Sequence, residues 1–495
     1  IRDSIRSRCM RRVWQELLRQ AYHTMSHIET QVLPVAHTRH ASKPTDFGLV
    51  FADATAASSQ EPYESLAVSF TSDVTRSSLE KAASHLRSGQ LVAFPTETVY
   101  GLGACALRTD AAERIYRAKN RPADNPLIVH VSDRRMLSKL LPSKYPYNAA
   151  CEALMKAFWP GPLTLLFPVG LDDQGLPRIP STVTCGQSTV GLRMPSHPIA
   201  RALISLAGVP VAAPSANASG RPSPTTAGHV FTDLGPRHVL SYIVDGGECS
   251  IGLESTVVDA TTTPGEVRVL RPGGISVEQI AQALEQAGLS SLSLRVYGRD
   301  LARSAQQEAA PTTPGMKYRH YSPEARVLLV RIDDGEHPTL HELLRDVAAS
   351  RVQAEQEARI GLLCAHDSPL ILSLPDSALT RWAADATHTS SSPSTDKAES
   401  RLSPVVHVNG MKLCLYSLGR RDTPSAAAQR LFDGLRTLDA CVPWCDGKPG
   451  ACDAIITDVV DESGVGLAIM NRLRKAASAT LFARADAVRP IHIPM

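Results

Sequence analysis

Between residues 90 and 271 the chain repeats one device: a short apolar run closes at Pro, Gly or a polar cluster, and a helix or loop leads to the next run. The runs are QLVAFP, PLIVHV, LTLLFPV, TVGLRMP, VPVAAPS, YIVDGG, STVVDA and VRVLRPG. Segments this short satisfy their backbone polar groups by pairing with one another, and the intervening helices must cover the faces of what they build. The pattern therefore predicts an α/β domain with a twisted mixed sheet. Three helices stand out within it: SSLEKAASHLRSG stopped by Gly89, DAAERIYRAKN with Asp110 and Glu113 in capping-box spacing, and SVEQIAQALEQAG ending near Gly288.

A length of 495 residues is too much for one ordinary core. Residues 1–70 lack sustained periodicity, and ADATAASSQEPYES reads as a flexible lead-in, so the main α/β domain is expected over 71–288. Residues 289–324 suit a linker, yet they hold PGMKYRHYSP, too dense in aromatic and cationic groups for a mere spacer, so an ordered linker is expected. A smaller Rossmann-like α/β unit is predicted over 325–495 from ARVLLVRI, HELLRDVAAS, RIGLLCA, KLCLYSLG, PSAAAQRLFDGLRTLDA and DAIITDVV. The Ser/Thr-rich segment 385–404 reads as a disordered insertion within it.

Bulk chemistry excludes several classes. A net charge of +3 is too small to imply nucleic-acid binding by itself. Ten scattered cysteines in so long a chain point to a reducing compartment. Cys441, Cys445 and Cys452 are the tightest group, but their spacing is not C-x2-C and no His lies among them, so a plain loop is expected and no metal site. No run of 18 apolar residues exists to span a membrane. The chain opens on Ile and is expected to lack its first residue. Arg2, Arg6, Arg8, Arg11, Arg12 and Arg19 resemble a mitochondrial transit peptide, against which Asp3 and Glu16 stand, and Met25 offers a second start. The expectation is a cytoplasmic protein with a second, mitochondrial pool; a basic tail without an address is the alternative.

Two readings compete at LVAFPTETVYGLGACAL, residues 91–107. GLGACA fits G-x-G-x-x-A, but a dinucleotide turn needs the last small residue to open a helix, and here the helix waits until Asp110. The other reading places Thr96, Glu97 and Thr98 at a strand end beyond Pro95, facing a cleft, with the glycines turning the chain. Further polar segments join it. Lys119 and Arg121 end a helix in KNRP, and Arg193 interrupts the apolar strand TVGLRMP, where a buried guanidinium requires an anionic partner. APSANASGRPSPT offers small donors and close backbone approach, Ser255 stands at a strand entrance and Arg271 at a strand exit. Arg121, Arg193 and Arg271 together describe a pocket for a polyanion.

The ordered motifs PTETVYGLG, KNRP with NPLIVHV, GLRMPSHP, APSANASGRPSPT, GLESTVVD and LRPGG resemble the YrdC/Sua family of L-threonylcarbamoyladenylate synthases over about residues 75–285. PGMKYRHYSP and GVGLAIMNRLRKAAS resemble the two-domain Sua branch and extend the likeness toward the C-terminus. The resemblance implies a YrdC-like catalytic domain, a linker and a Sua-type C-terminal domain. It implies a nucleotidyltransferase that joins L-threonine, bicarbonate or CO2, and ATP with Mg2+ into threonylcarbamoyl-adenylate and pyrophosphate, with a separate tRNA threonylcarbamoyl transferase downstream.

By the same resemblance Thr96, His130, Arg193, the backbone at Ala213, and Ser255 hold threonine, with Arg193 on its carboxylate. Arg121, Asn125, Thr189, Ser215, Ser223 and Arg271 hold ATP, Lys119 and Asn217 complete the K-x-R and S-x-N pair, and Tyr321 reaches ATP from the candidate lid KYRHY. Lys119 and Arg121 are expected to offset charge on the carbamate and the departing pyrophosphate. The competing class is a double-stranded RNA-binding module with weak RNA affinity and no catalysis; aromatics at 5%, not interleaved with a basic stripe, speak against stacking on bases.

Overall fold

The computed structural model describes residues 28–37, 41–53, 63–297, 300, 320–333, 339–349, 357–372, 401–408, 410–440, 442–443 and 449–484. The strands of the first half are β1 (Gln31–Pro34), β2 (Leu49–Asp53), β3 (Leu66–Phe70), β4 (Val92–Phe94), β5 (Gly101–Cys105), β6 (Val129–His130) and β7 (Leu163–Pro168). They continue with β8 (Thr189–Arg193), β9 (Val211–Ala212), β10 (Tyr242–Asp245), β11 (Thr256–Asp259), β12 (Glu266–Arg271) and β13 (Ser293–Val296). Eleven of these join in one mixed sheet of order β1-β10-β4-β5-β9-β6-β8-β7-β11-β12-β13, while β2 and β3 pair as a separate antiparallel ribbon.

Alternation along the strands buries both faces. In β4, Val92 and Phe94 point to one side, packing with Leu79, Leu86, Ile199 and Leu203 of the helices Asp73–Arg87 and Pro198–Ala207. Ala93 points to the other, toward Ile115, Leu154 and Ile280 of the helices Thr109–Lys119, Ala149–Phe158 and Val277–Gln286. Ser72 caps the first of these helices from Thr75 N–H, and Ser276 with Gln279 forms a capping box on the last. The box expected from Asp110 and Glu113 does not form. Arg108 stands at that N-cap, and Asp110 pairs with Arg108 and Arg114 instead.

The lead-in reading of residues 1–70 is corrected wherever that segment is described. β1 adds to the sheet in parallel beside β10, and Leu33, Phe47 and Leu49 are buried against the helix Asp73–Arg87. QVLP and LVFAD are too short to carry a period, which is why their pairing is invisible in sequence. The arginine-rich residues 2–19 lie outside the described residues. The linker likewise begins later than expected, because β13 pairs in parallel with β12.

A second sheet is built from β14 (Arg326–Asp333), β15 (Ala358–Cys364), β16 (Val406–Val408), β17 (Met411–Ser417), a small ribbon of β18 (Val442–Pro443) with β19 (Pro449–Gly450) standing apart, β20 (Ala454–Asp458) and β21 (Ala479–Arg484). Its order is β16-β17-β15-β20-β14-β21, parallel except for β16. Of the expected insertion, residues 385–400 lie outside the described residues, but 401–404 belong to the fold: Arg401 pairs with Glu248 and Asp433, and Ser403 bonds Leu415. Cys441 and Cys445 are outside the described residues too, and Cys452 is a buried free thiol.

The two units share a core. Val99 and Leu253 of the first and Tyr321 of the linker pack into one apolar cluster with Leu431, Phe432 and Ile469 of the second. Gly252, at φ +74°, lies so close to the helix Pro424–Ala440 that a Cβ there would meet the Gln429 backbone at 2.4 Å. A buried ion pair from Arg436 to Asp233, 2.8 Å, also crosses the junction.

Candidate functional site

At this junction lies a cleft walled by Thr96, Thr98, Val99, Gly101, Arg121, Ile128, His130, Arg193, Ala213, Pro214, Ser215, Glu254, Ser255, Arg271, His320 and Tyr321. Clefts between domains are preferred ligand sites because the walls come from independently placed elements. Here the ends of β6 and β8, side by side in parallel, deliver His130 and Arg193.

The floor is the PTETV turn. Thr96 Oγ1 donates to the Val99 carbonyl at 2.6 Å and accepts from the Thr98 and Val99 N–H groups, so this hydroxyl folds the turn. Glu97 and Thr98 then meet Arg193: Nη2 donates to Glu97 Oε1 at 2.5 Å, Nη1 to Thr98 Oγ1 at 2.9 Å, and Nε to the Gly161 carbonyl at 3.2 Å. The anionic partner that a buried strand arginine requires is thus internal. Glu97 is legible in sequence as an acid at the strand end facing the cleft, yet no spacing marks it as the partner of Arg193, 96 residues on. Three of the five guanidinium N–H donors are engaged in these bonds.

His130 is buried, with Nδ1 lacking a hydrogen-bond partner. Burial, assisted by the Arg193 charge, pushes its imidazole down to about 3, so the ring is neutral at ordinary pH. Ser255 Oγ lies 2.8 Å from Thr164 Oγ1 and accepts from Arg271 Nη2 at 3.1 Å. Arg271 further donates to the Ser255 carbonyl through Nε and Nη2, and burial lowers its guanidinium to about 10. Arg121 Nη2 donates to the Asn125 carbonyl at 2.8 Å. The Ala213 N–H donates to the Ile128 carbonyl at 2.9 Å.

Thr96, Arg121, His130, Arg193, Ala213, Ser215, Ser255, Arg271 and Tyr321 therefore converge on one cleft. Lys119 does not reach it. Its ammonium is buried behind the wall, donating to the carbonyls of Ser215 and Asn217 at 2.5 and 2.6 Å and to Asn217 Oδ1 at 3.4 Å. Burial and the neighbouring Arg121 push that ammonium well below its ordinary range. Asn217 Nδ2 donates to the carbonyls of Ala218 and Arg221, so Lys119 and Asn217 hold the 215–221 loop. Ser223 is also behind the wall, donating to Glu254 at 2.6 Å. Asn125 is buried beside the cleft with Oδ1 unpartnered, and Thr189 sits at the far end of β8 from Arg193.

Of KYRHY, residues 317–319 lie outside the described residues, while His320 and Tyr321 line the cleft. Tyr321 adopts φ +65°, an unusual conformation for an aromatic residue, and its ring lies 5.1 Å from Phe432 of the C-terminal domain. The GLGACA glycines do not turn the chain either: β5 is a buried strand between β4 and β9, with Gly103 facing Phe94 and Val211. No phosphate turn exists there.

Fold and cleft define the class: a two-domain α/β protein with an arginine-lined ligand cleft at the domain junction. Residues 84–273 match the Sua5/yciO/yrdC family, described as "Telomere recombination", and residues 275–478 match "Threonylcarbamoyl-AMP synthase, C-terminal domain". The chain belongs to the threonylcarbamoyl-AMP synthase family. It is 41% identical over 439 residues to the threonylcarbamoyl-AMP synthase of Schizosaccharomyces pombe, covering 85% of this chain and 93% of that protein. With the Pyrococcus abyssi threonylcarbamoyl-AMP synthase it shares 39% identity over 396 residues, covering 80% and 93%. The crystal structure of P. abyssi Sua5 complexed with L-threonine superposes with a TM-score of 0.57 at 36% identity, covering 83% of this chain and 96% of that one.

Proposed function

We propose that this chain is a threonylcarbamoyl-AMP synthase, joining L-threonine, bicarbonate or CO2, and ATP into L-threonylcarbamoyladenylate and pyrophosphate. The product then serves a separate transferase that makes threonylcarbamoyladenosine in tRNA. The observation that carries this reading is the convergence of Arg121, Arg193 and Arg271 on one cleft, beside the neutral His130. Such a site suits two anions that must be brought together.

The threonine amine forms a C–N bond to CO2, opening one C=O bond and releasing a proton, or to bicarbonate, whose C–O bond breaks with loss of water. A carbamate oxygen then attacks the α-phosphorus, and the bond from that phosphorus to the oxygen of the departing β,γ-pyrophosphate breaks. The chain's groups position and offset charge. Arg193, fixed by Glu97 and Thr98, presents its remaining donors to the threonine carboxylate, and Thr96, His130, Ala213 and Ser255 surround the rest. Arg121, Ser215, Arg271 and Tyr321 take the nucleotide; Asn125, Thr189 and Ser223 support that end from outside the cleft wall, and Lys119 with Asn217 fixes the loop beneath it. Among the described residues no three His, Cys, Asp or Glu side chains converge as a metal site. Mg2+ enters this reading as part of the ATP substrate, held by its phosphates.

Pyrophosphate release by the full chain, with and without L-threonine and bicarbonate, tests the reading. Release that requires both is expected; release indifferent to threonine overturns it. An RNA-binding module would instead show salt-steep RNA affinity and no turnover.

A further inference from the structure

One buried charge has no role in this scheme. Arg472, on the C-terminal helix Gly466–Ala476, is wholly buried, yet its guanidinium reaches into the first domain. Nε donates to Glu254 Oε2 at 3.1 Å, Nη1 donates to the carbonyls of Pro272 and Ala468, and Nη2 is buried without a hydrogen-bond partner. The guanidinium carbon lies 6.0 Å from the centre of the Tyr321 ring. Glu254 precedes Ser255 and Pro272 follows Arg271, so one side chain from the second domain ties together both segments that deliver cleft residues.

Glu254 is a carboxylate in the wall of a cleft meant for anions. Burial alone would raise its carboxyl, but the Arg472 and Arg271 guanidiniums and the Ser223 hydroxyl outweigh that and hold it at about 2. It is therefore ionised, and without Arg472 it would repel a triphosphate and engage Arg271.

We propose that Arg472 is a positioning residue for the nucleotide: from behind the cleft wall it compensates Glu254, so that the cleft accepts a nucleoside triphosphate only with the C-terminal domain docked. The inference rests on the synthase reading of the cleft. Among the described residues the charged and titratable groups facing Glu254 are Arg472, Arg271, His320 and Tyr321.

The test compares the full-length chain with Arg472→Met, Glu254→Gln and the double variant, measuring ATP and threonine affinity by calorimetry and pyrophosphate release. Arg472→Met is expected to weaken ATP binding about tenfold or more near pH 8, with threonine affinity held. The double variant should bind ATP within about threefold of Glu254→Gln alone. A double variant as weak as Arg472→Met, or equal loss of threonine and ATP binding, would reduce Arg472 to a packing role and overturn the proposal. If the unmodified chain binds ATP but releases no threonine-dependent pyrophosphate, the synthase reading fails while the affinity pattern still decides the role of Arg472.

Discussion

Arg193 and Glu97 form an ion pair of 2.5 Å with each side chain only 5% exposed, at the meeting of a strand end and the turn beyond Pro95. The pair is neutral as a unit, so the arginine is held in place without a net charge being buried, while part of its donor edge stays directed at the cleft.

Breaking that pair should separate stability from binding. Arg193→Ala leaves Glu97 buried without its counter-charge, at an expected cost of about 3–5 kcal/mol in denaturant unfolding, together with loss of threonine affinity. Arg193→Ala combined with Glu97→Ala should recover much of the stability and none of the affinity. Calorimetric threonine binding retained by either arginine variant would refute the clamp.

The acid limb of stability should be governed by buried histidines. Burial, chiefly, pushes His130 and His320 down to about 3 and His197 to about 4. Below about pH 6.5 the unfolded chain binds protons that these folded rings refuse, so stability falls as pH drops toward 4, by about 1.4 kcal/mol per unit per ring. Asp458, raised to about 6 by burial, opposes one of them over this range. The net expected slope near pH 5 is about 2–3 kcal/mol per unit, and His197→Gln should reduce it by roughly one ring's share. Urea unfolding between pH 7 and 4.5 gives the slope directly; an unchanged slope in the variant would contradict the assignment.

Arg436→Met should loosen the domain junction. Its partner Asp233 is 3% exposed and would be left as a buried, unpaired carboxylate, costing about 3 kcal/mol or more. Because Val99, Leu253 and Tyr321 share the junction core, pyrophosphate release should fall along with stability. A variant that unfolds at lower denaturant yet turns over normally would show that docking and cleft geometry are independent.

Gly103→Ala tests why GLGACA contains glycine. A Cβ at that position lies 2.7 Å from Phe94 Cε1 and 2.9 Å from Val211 Cγ1, so the variant should lose about 1–3 kcal/mol by overpacking. A thermal midpoint equal to that of the unmodified chain would show that the sheet relaxes freely there.

Much of the protein follows from residue order alone. The apolar runs at 92–94, 163–168 and 189–193 and the helical periods between them dictate an α/β architecture, since pairing and facing helices are the way such runs satisfy their backbone and bury their side chains. The arginines 121, 193 and 271 are legible too, because a guanidinium at an apolar element's end demands an anion. Other features are settled only by tertiary contacts. β1 and β2 are too short to show a period and exist because Leu33 and Leu49, with Phe47 beside them, find a helix to cover. Asp110 has the spacing of a capping box, but Arg108 and Arg114 compete for it and win by charge. Lys119 reads as a catalytic cation until three oxygens of the 215–217 loop surround it. Spacing fixes which residues share an element; which charges meet across 218 residues, as Glu254 and Arg472 do, depends on how the two sheets dock.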